Sequence, residues 1–409
     1  MTEKISNVDD DLHIPYYEVP PTYEEFLENH LIPNKPCIIG PAFIDNWKAR
    51  KEWIVPVDNL DEVAENIRPK YKPNYQYMRK HFGSAESQVA KCNQRHFTDQ
   101  WRESMSFEQF ADLWEADDGK ESLWYFKDFH MMRTFPDDKF YKVPNLFEDD
   151  WLNEYWLQKG DDDYRFSYIG GHTTFTPLHA DVHRSHSWSS NICGVKKWTM
   201  FPPNQEECYK DKYGNQVYDV RHVDPDQFPR FNEARRVVIY QRDGETMFIP
   251  SDWFHQVENI GAAISLNHNW INANNIMHTY RSLKKDYDDC RKSIEDIQES
   301  VDEAEFLQEC QKLLLMHAGW NWRTFLSMLS CVVKNRYNAL VVGKELSKNQ
   351  PDLTYQMDKI EEVLDKWFED EGGDLVKYFK AEDDVLYDEY QDLKRNITKI
   401  RELHALNHS

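Results

Sequence analysis

Two short segments of the chain carry side chains that suit a transition metal. His179 and Asp181 lie two positions apart in the first, and His255 ends the second, which reads M-F-I-P-S-D-W-F-H. Residues i and i+2 of a strand point to the same face, so a strand would bring His179 and Asp181 to one ion. Two imidazoles and one carboxylate on one side of Fe(II) leave positions open for substrate and oxygen. The pattern therefore predicts a metal site of this kind.

Spacing alone is weak support for this metal site. A histidine two residues before an aspartate arises easily by chance in a chain with 16 histidines. His183 and His186 lie close by, and His183 continues the i, i+2 phase after Asp181. A fourth protein ligand would occupy a position that oxygen needs. We therefore expect both histidines to lie in a loop or to support the ligands from outside.

The segments around these residues have the texture of short strands. From about 121 to 275, apolar runs are broken by Gly, Pro and Asp, which is typical of an antiparallel barrel or sandwich. Asp243-Gly244 separates two such runs and predicts a hairpin. The runs lie at 164–169, 197–201, 237–240 and 246–249.

Helices are predicted on both sides of the strands. Residues 105–116 form an amphipathic pattern that opens with Ser106 as N-cap and Gln109 three residues later. Beyond the strands, apolar stripes at helical spacing run through 360–368 and 386–400. We expect these stripes to pack within the chain, and a homodimer through the C-terminal helices is the alternative.

The organisation predicted from these patterns is an α+β chain in three regions. Residues 1–120 form a mixed helical and strand region that supports the barrel. Residues 121–275 form the barrel that carries the candidate ligands. Residues 276–409 form a C-terminal helical region.

Composition narrows the class of partner and the compartment. The net charge of −23 makes nucleic acid a poor partner and favours a positively charged protein segment. Seven cysteines without a C-x-x-C pair suit reduced thiols rather than disulfides or a zinc module. No apolar run approaches the roughly 20 residues that span a membrane, and the polar segment 1–11 is unlike a signal peptide. We expect a soluble, cytoplasmic protein, with the nucleus as a second location.

Several further motifs occur in a fixed order around the candidate ligands. Together they resemble the Jumonji-C family of 2-oxoglutarate oxygenases, of the small hydroxylase type. The resemblance covers about 100 residues closely. The motifs are T-P-L-H-A-D (176–181), S-W-S (187–189), G-V-K-K-W (194–198), F-P-P (201–203), G-E-T (244–246), F-I-P (248–250), W-F-H (253–255) and N-H-N-W (267–270).

The resemblance implies a double-stranded β-helix, a jelly-roll barrel that binds Fe(II), 2-oxoglutarate and O2, with ascorbate as reductant. It implies iron ligands at His179, Asp181 and His255. It also implies that Lys196 and Thr176 bind the far carboxylate of 2-oxoglutarate, which agrees with the cost of burying a lone ammonium inside a barrel. Strand alternation would place Trp198 beside Lys196 and turn Lys197 outward.

Further polar positions match the family less firmly. Asn269 matches an asparagine near the co-substrate, and Asn267 matches a polar position beside it. Family members often use a tyrosine from the strand before the barrel core. Here that strand offers Trp124 and Tyr125, and the alignment favours Trp124 without deciding between them.

The resemblance also implies an activity. Similar proteins hydroxylate a lysine of the eukaryotic translation release factor, so we expect a lysyl hydroxylase with that protein substrate. Two alternatives stay open at this point. One is a histone N-methyl-lysine demethylase, and the other is a non-catalytic cupin-like scaffold that binds partners through its helical tail.

Overall fold

The computed structural model describes residues 12–57, 69–160, 162–381 and 385–407. The predicted polar segment 1–11 lies outside these ranges. In the described part of the chain, no helix is both long enough and apolar enough to cross a membrane.

The strands are concentrated before residue 270. They are β1 (Tyr16–Tyr17), β2 (Cys37–Ile39), β3 (Ile54–Pro56), β4 (Tyr71–Pro73), β5 (Glu86–His96), β6 (Asp99–Ser106), β7 (Trp124–Phe129), β8 (Arg165–Gly170), β9 (Phe175–His179), β10 (His186–Phe201), β11 (Val237–Gln241), β12 (Thr246–Ile249) and β13 (Phe254–Trp270).

The long helices follow the strands. They are α7 (Ile276–Ser293), α8 (Glu303–Ala318), α9 (Trp322–Val341), α10 (Leu353–Ala381) and α11 (Val385–Asn407). Shorter helices lie earlier: α1 (Tyr23–Phe26), α2 (Lys48–Glu52), α3 (Tyr75–Phe82), α4 (Phe107–Ala116), α5 (Met131–Thr134) and α6 (Trp151–Lys159). The predicted capping box of α4 is present, because Ser106 Oγ accepts from the Gln109 N–H while the Gln109 side chain accepts from the Ser106 N–H.

The sheet is mostly antiparallel and is organised by two long strands. Along the described chain, eleven strands join one sheet in the order β1-β2-β12-β10-β13-β8-β7-β5-β6, with β11 on β10 and β9 on β13. The first half of β10 pairs with β12 and its second half with β11. In the same way, β13 pairs first with β9 and then with β8. Long strands that change partner midway give a jelly-roll core, and the predicted α+β fold is confirmed.

The hairpin predicted at Asp243-Gly244 is wrong in its pairing. The turn exists, with Gly244 at φ 81°, but the strands on either side of it, β11 and β12, pair with successive halves of β10. The hydrogen bonds of Asp243 account for this pairing. Its carboxylate accepts from the backbone N–H groups of Gly194 and Lys70 at 2.8 and 2.7 Å. The turn is therefore fastened to the middle of β10, where Gly194 itself has φ 82°.

The chain forms two compact units. The first contains residues up to Pro144, Asp163–Asp181 and His186–Asn269, and it includes the sheet. An apolar cluster that includes Trp198, Met247 and Trp253 lies inside it. Strands from the predicted region 1–120 belong to the same sheet as those from 121–275. The division at 120 and 275 stays a prediction.

The second unit contains Asn145–Asp162, Val182–Ser185 and residues from Trp270 onward. Its core includes the two predicted apolar stripes. The buried members are Ile360, Val363, Leu364, Trp367, Leu386, Tyr390, Leu393, Ile397 and Ile400. The stripes therefore pack within the unit, as expected, and the homodimer stays untested.

Candidate metal centre and co-substrate pocket

Strand pairing brings the three candidate ligands together. β9 and β13 are antiparallel, with His179 directly opposite His255 and a bulge between His255 and Val257. Asp181 follows β9 by two residues. One ligand atom from each of His179, Asp181 and His255 lies within 4.8 Å of the others. Two imidazoles and a carboxylate at this spacing fit one transition-metal ion.

Backbone contacts fix the outward nitrogen of each imidazole. Nδ1 of His179 lies 2.8 Å from the Pro177 carbonyl, and Nδ1 of His255 lies 2.9 Å from the Trp253 carbonyl. Because a carbonyl only accepts, Nδ1 carries a proton in both rings, and Nε2 is the nitrogen that faces the ligand group. Burial and the neighbouring His255 lower the pKa of His179 to about 4, so its imidazole is neutral near pH 7. In each ring the nitrogen that remains to bind a metal is therefore Nε2.

The carboxylate of Asp181 is held by the strand that follows it. Ser187, on β10, donates its hydroxyl to Oδ2 of Asp181 at 2.7 Å. This bond restrains the carboxylate and leaves the other oxygen available to an ion. Ser187 belongs to a sequence motif, but its role beside Asp181 was not predicted.

The two neighbouring histidines have partners of their own. His186 is buried at the start of β10, where its Nδ1 accepts from the Ser251 N–H at 3.0 Å. The His183 ring lies 3.9 Å from the Trp320 ring, measured between centroids. Among the described residues, neither histidine belongs to the group formed by His179, Asp181 and His255.

A cavity inside the first unit adjoins the three ligands. Lys196 reaches into it from β10 and is 2% exposed. Its Nζ donates to the Tyr125 hydroxyl at 3.3 Å, and no carboxylate within the described ranges pairs with it. Burial lowers the pKa of Lys196 to about 7. An ammonium placed this way fits an anionic group of a bound molecule, because an anion would offset the cost of burying the charge.

Strand alternation around Lys196 follows the prediction. Trp198 lines the same cavity, and its indole N–H donates to Gln241 at 3.0 Å. Lys197 turns away and lies 3.4 Å from the carboxylate of Glu258. The two lysines therefore have opposite surroundings despite being neighbours.

The structure decides between Trp124 and Tyr125. Tyr125 is buried, lines the cavity and accepts a hydrogen bond through its hydroxyl from Lys196 Nζ at 3.3 Å. Trp124 lies on the opposite face of β7, where the ammonium of Lys91 lies 5.0 Å from the centroid of its ring. The sequence left this choice open, and the two residues differ because adjacent strand positions face opposite sides.

The other predicted polar residues also line the cavity, namely Thr176, Asn267 and Asn269. Thr176 lies opposite Val257 in the β9–β13 pair. Asn267 accepts a hydrogen bond from the Ser189 hydroxyl at 3.1 Å. The cavity thus combines one cation with several neutral donors, which suits a small carboxylic acid.

Tyr168 is a cavity residue that the sequence did not indicate. Its hydroxyl donates to Asp128 at 2.9 Å, and Asp128 also binds Arg102 at 2.6 Å. Asp128 has φ 57° and lies where the β7–β8 register shifts, between Phe126 and Phe129. The bulge turns this carboxylate toward Tyr168. Because the phenol proton points to Asp128, the lone pairs of the phenol oxygen are left to accept hydrogen bonds.

Comparison with known proteins agrees with this geometry. Residues 23–276 match the family model described as a cupin-like domain. That span covers most of the chain and includes every cavity residue named above. The chain belongs to the cupin-like family, in its Jumonji-C branch.

Individual relatives carry two kinds of name. The chain is 40% identical to the arginine-specific demethylase JMJ20 of Arabidopsis thaliana over 76% of this chain and 67% of the relative. It is 37% identical to the 2-oxoglutarate and iron-dependent oxygenase JMJD4 of Danio rerio, over 80% of this chain and 76% of the relative. The protein of the same name from Homo sapiens is 32% identical over 84% and 82%.

Proposed function

We propose that this chain is an Fe(II)- and 2-oxoglutarate-dependent oxygenase whose iron is held by His179, Asp181 and His255. The observation that carries the proposal is that one cavity contains both this ligand group and the buried ammonium of Lys196. In the described ranges no carboxylate pairs with that ammonium. A metal-free scaffold would gain nothing from three ligand atoms within 4.8 Å and a buried lysine. The names of the JMJD4 relatives support the same class.

Lys196, Tyr125 and Thr176 would bind the far carboxylate of 2-oxoglutarate. Lys196 would supply the charge, and the hydroxyls of Tyr125 and Thr176, which line the same cavity, would supply directed hydrogen bonds. Asn267 and Asn269 complete the polar wall. In this cavity these residues would hold the co-substrate beside the metal ligands.

The protein's own contribution to the reaction is position and exclusion of water. When bound, the metal and 2-oxoglutarate supply the oxidising chemistry, in which O2 is consumed and succinate and carbon dioxide are released. Trp198 and Val257 form an apolar part of the cavity wall. Nδ1 contacts to Pro177 and Trp253 hold both imidazoles in one orientation.

The substrate we propose is a cationic side chain of a protein, specifically a lysine of the eukaryotic translation release factor. The Tyr168 hydroxyl donates its hydrogen bond to Asp128, so its oxygen is an acceptor suited to an N–H of such a side chain. The net charge of −23 favours a basic protein segment. The choice of release factor depends on the resemblance around T-P-L-H-A-D and G-V-K-K-W.

Arginine demethylation is the second candidate. It is favoured by 40% identity to a relative named arginine-specific demethylase. A methylated guanidinium is also a cation that an acceptor such as Tyr168 would suit. The two activities differ in product, because hydroxylation adds one oxygen to a carbon, whereas oxidation of an N-methyl group releases formaldehyde.

One experiment separates these activities. Purified protein with Fe(II), ascorbate and 2-oxoglutarate is offered release factor, methylated arginine peptides and methylated histone tails side by side. We expect release factor to gain one oxygen on a lysine and no peptide to release formaldehyde. Formaldehyde from the arginine peptides without oxygen gain would replace the hydroxylase by the demethylase. Formaldehyde released from methylated histone lysines would replace the hydroxylase by the lysine demethylase. If no substrate leads to succinate, the result would support the non-catalytic scaffold.

A further inference from the structure

The turn after Asp181 has an uncommon backbone. His183 and Arg184 both have left-handed φ angles, 56° and 51°, within the short helical turn Val182–Arg184. Residues with a Cβ adopt this region at a cost, and two in succession are rarer still. Such a conformation persists only where surrounding contacts hold it.

Trp320 supplies a contact of this kind. Its ring centroid lies 3.9 Å from that of His183, with the two planes tilted by 38°. Trp320 is 1% exposed and packs against Phe325 of α9, at 5.9 Å between ring centroids. The turn and Trp320 both belong to the second unit. His183 is thus fixed by a ring that is itself immobilised.

The turn lies between Asp181 and the residue whose hydroxyl holds it. Asp181 precedes the turn, and Ser187, which donates to Asp181 Oδ2 at 2.7 Å, follows it. The Ser185 N–H closes the turn on the Val182 carbonyl at 3.0 Å. Ordinary φ angles at His183 and Arg184 would change the path of the chain between Asp181 and Ser187.

We propose that the stack of His183 on Trp320 is a positioning device for the metal centre. It holds the turn in its left-handed form, so that Asp181 keeps the orientation that binds Fe(II). His183 and Trp320 are positioning residues that act through Asp181. The inference rests on the proposed function, because it gives Asp181 the role of a metal ligand.

The test measures Fe(II) binding without turnover. The dissociation constant for Fe(II) is measured under anaerobic conditions, and the visible absorption of the Co(II)-substituted protein reports ligand geometry. The variants are Trp320→Leu, which removes the ring, Trp320→Phe, which keeps one, and His183→Gly, which allows a positive φ but cannot stack. Trp367→Leu is the matched control, since Trp367 is fully buried in the same unit and contacts Trp322 and Phe325.

We expect Trp320→Leu and His183→Gly to weaken Fe(II) binding by about tenfold or more, the usual effect of losing a group that orients a ligand. Trp320→Phe should stay close to wild type. The double variant Trp320→Leu/His183→Gly should bind Fe(II) no more weakly than the weaker of the two single variants, because both changes remove the same ring contact. Trp367→Leu should lower the melting temperature without changing Fe(II) affinity.

Several results would overturn the proposal. One is wild-type Fe(II) affinity in both Trp320→Leu and His183→Gly. Another is wild-type affinity in His183→Gly alone, which would show that the turn needs only a permissive backbone. An equal loss of Fe(II) affinity in Trp367→Leu would indicate general destabilisation. If Trp320→Leu fails to fold, the Fe(II) affinity of His183→Gly alone tests the proposal. Wild-type protein that binds no Fe(II) would instead overturn the proposed function, on which the stack depends.

Discussion

Lys196 and Lys197 are adjacent residues that should respond oppositely to the same substitution. Lys196→Ala should raise KM for 2-oxoglutarate, because it removes a buried charge that has no carboxylate partner in the described chain. A charge-assisted hydrogen bond contributes about 1.5–3 kcal/mol, or about 10- to 100-fold in affinity. Activity should recover in part at high 2-oxoglutarate. Lys197→Ala is the control, since Lys197 pairs with Glu258 on the other face. An unchanged KM in Lys196→Ala would contradict the assignment.

The protonation of Lys196 predicts a pH dependence. Burial lowers its pKa to about 7, so the ammonium that binds an anion is present below that pH and is lost above it. The dissociation constant of 2-oxoglutarate should therefore increase as pH rises through about 7, by up to tenfold per unit. Lys196→Arg, which stays charged, should remove this dependence even if it binds less tightly. Calorimetric titration with 2-oxoglutarate at several pH values around 7 measures this dependence. A wild-type dissociation constant that does not change with pH would argue against a lysine that loses its charge in this range.

Asp181 should be needed for chemistry rather than for folding. Asp181→Ala should abolish succinate formation, because two imidazoles alone do not complete the ligand set. Its melting temperature should stay near that of wild type, since Asp181 is only partly buried and its described side-chain bond is to Ser187. Asp226→Ala, at an exposed loop position, controls for the loss of a carboxylate. Full turnover by Asp181→Ala would rule out the ligand set.

Residue types in the sequence predicted the charged parts of this site better than its neutral parts. Ionisable or metal-binding side chains are needed at few buried positions, so they stand out in a sequence. Four of them line one cavity here, namely His179, Asp181, His255 and Lys196. Tyr168 could not be found in this way, because the chain has 22 tyrosines. What makes it distinctive is its bond to Asp128, which depends on the register of two strands.

At the scale of elements, the bulge in β7 gives a prediction about substrate. Asp128→Asn can still accept from Tyr168 but loses its charge and its ion pair with Arg102. We expect KM for the protein substrate to rise several-fold while KM for 2-oxoglutarate changes little, because Asp128 lies behind Tyr168 and not among the cavity residues. Glu103→Gln, an exposed carboxylate on β6 that pairs with Lys91, is the control. Equal increases in both KM values would indicate a general change in the cavity.

Strand register was the element property that the sequence predicted least well. Apolar runs placed β8, β11, β12 and the end of β10. They could not tell whether Trp124 or Tyr125 faced the cavity, since β7 is apolar on both faces. Likewise, Asp243-Gly244 marked a turn correctly but not its strand partners. Those were set by bonds from Asp243 to Lys70, 173 residues away, and to Gly194. Contacts of such separation leave no local pattern.

At the scale of the whole molecule, the second unit is built from distant segments. The helical character of 276–409 followed from its apolar stripes, but the participation of α6 did not. Arg336 on α9 shows the connection, because its guanidinium pairs with Asp149 at 3.2 Å and with Glu154 at 3.1 Å. Both carboxylates lie before the barrel's ligand strands in sequence. A helical tail and a segment from mid-chain therefore form one core.

This shared core predicts the result of removing the tail. A chain that ends at residue 275 would keep Trp151, Leu152 and Tyr155 of α6, which are buried, and would lose α9, which packs on them. It would also leave Asp149 without Arg336. Exposed apolar surface of this kind favours association, so we expect the shortened chain to aggregate and to bind a hydrophobic dye.

A chain cut after Ile400, the last buried residue of the stripe, should remain monomeric and active, because the described residues beyond it are at least partly exposed. Size-exclusion chromatography with light scattering separates the two. A soluble, monomeric and fully active 1–275 chain would show that α6 does not depend on the tail.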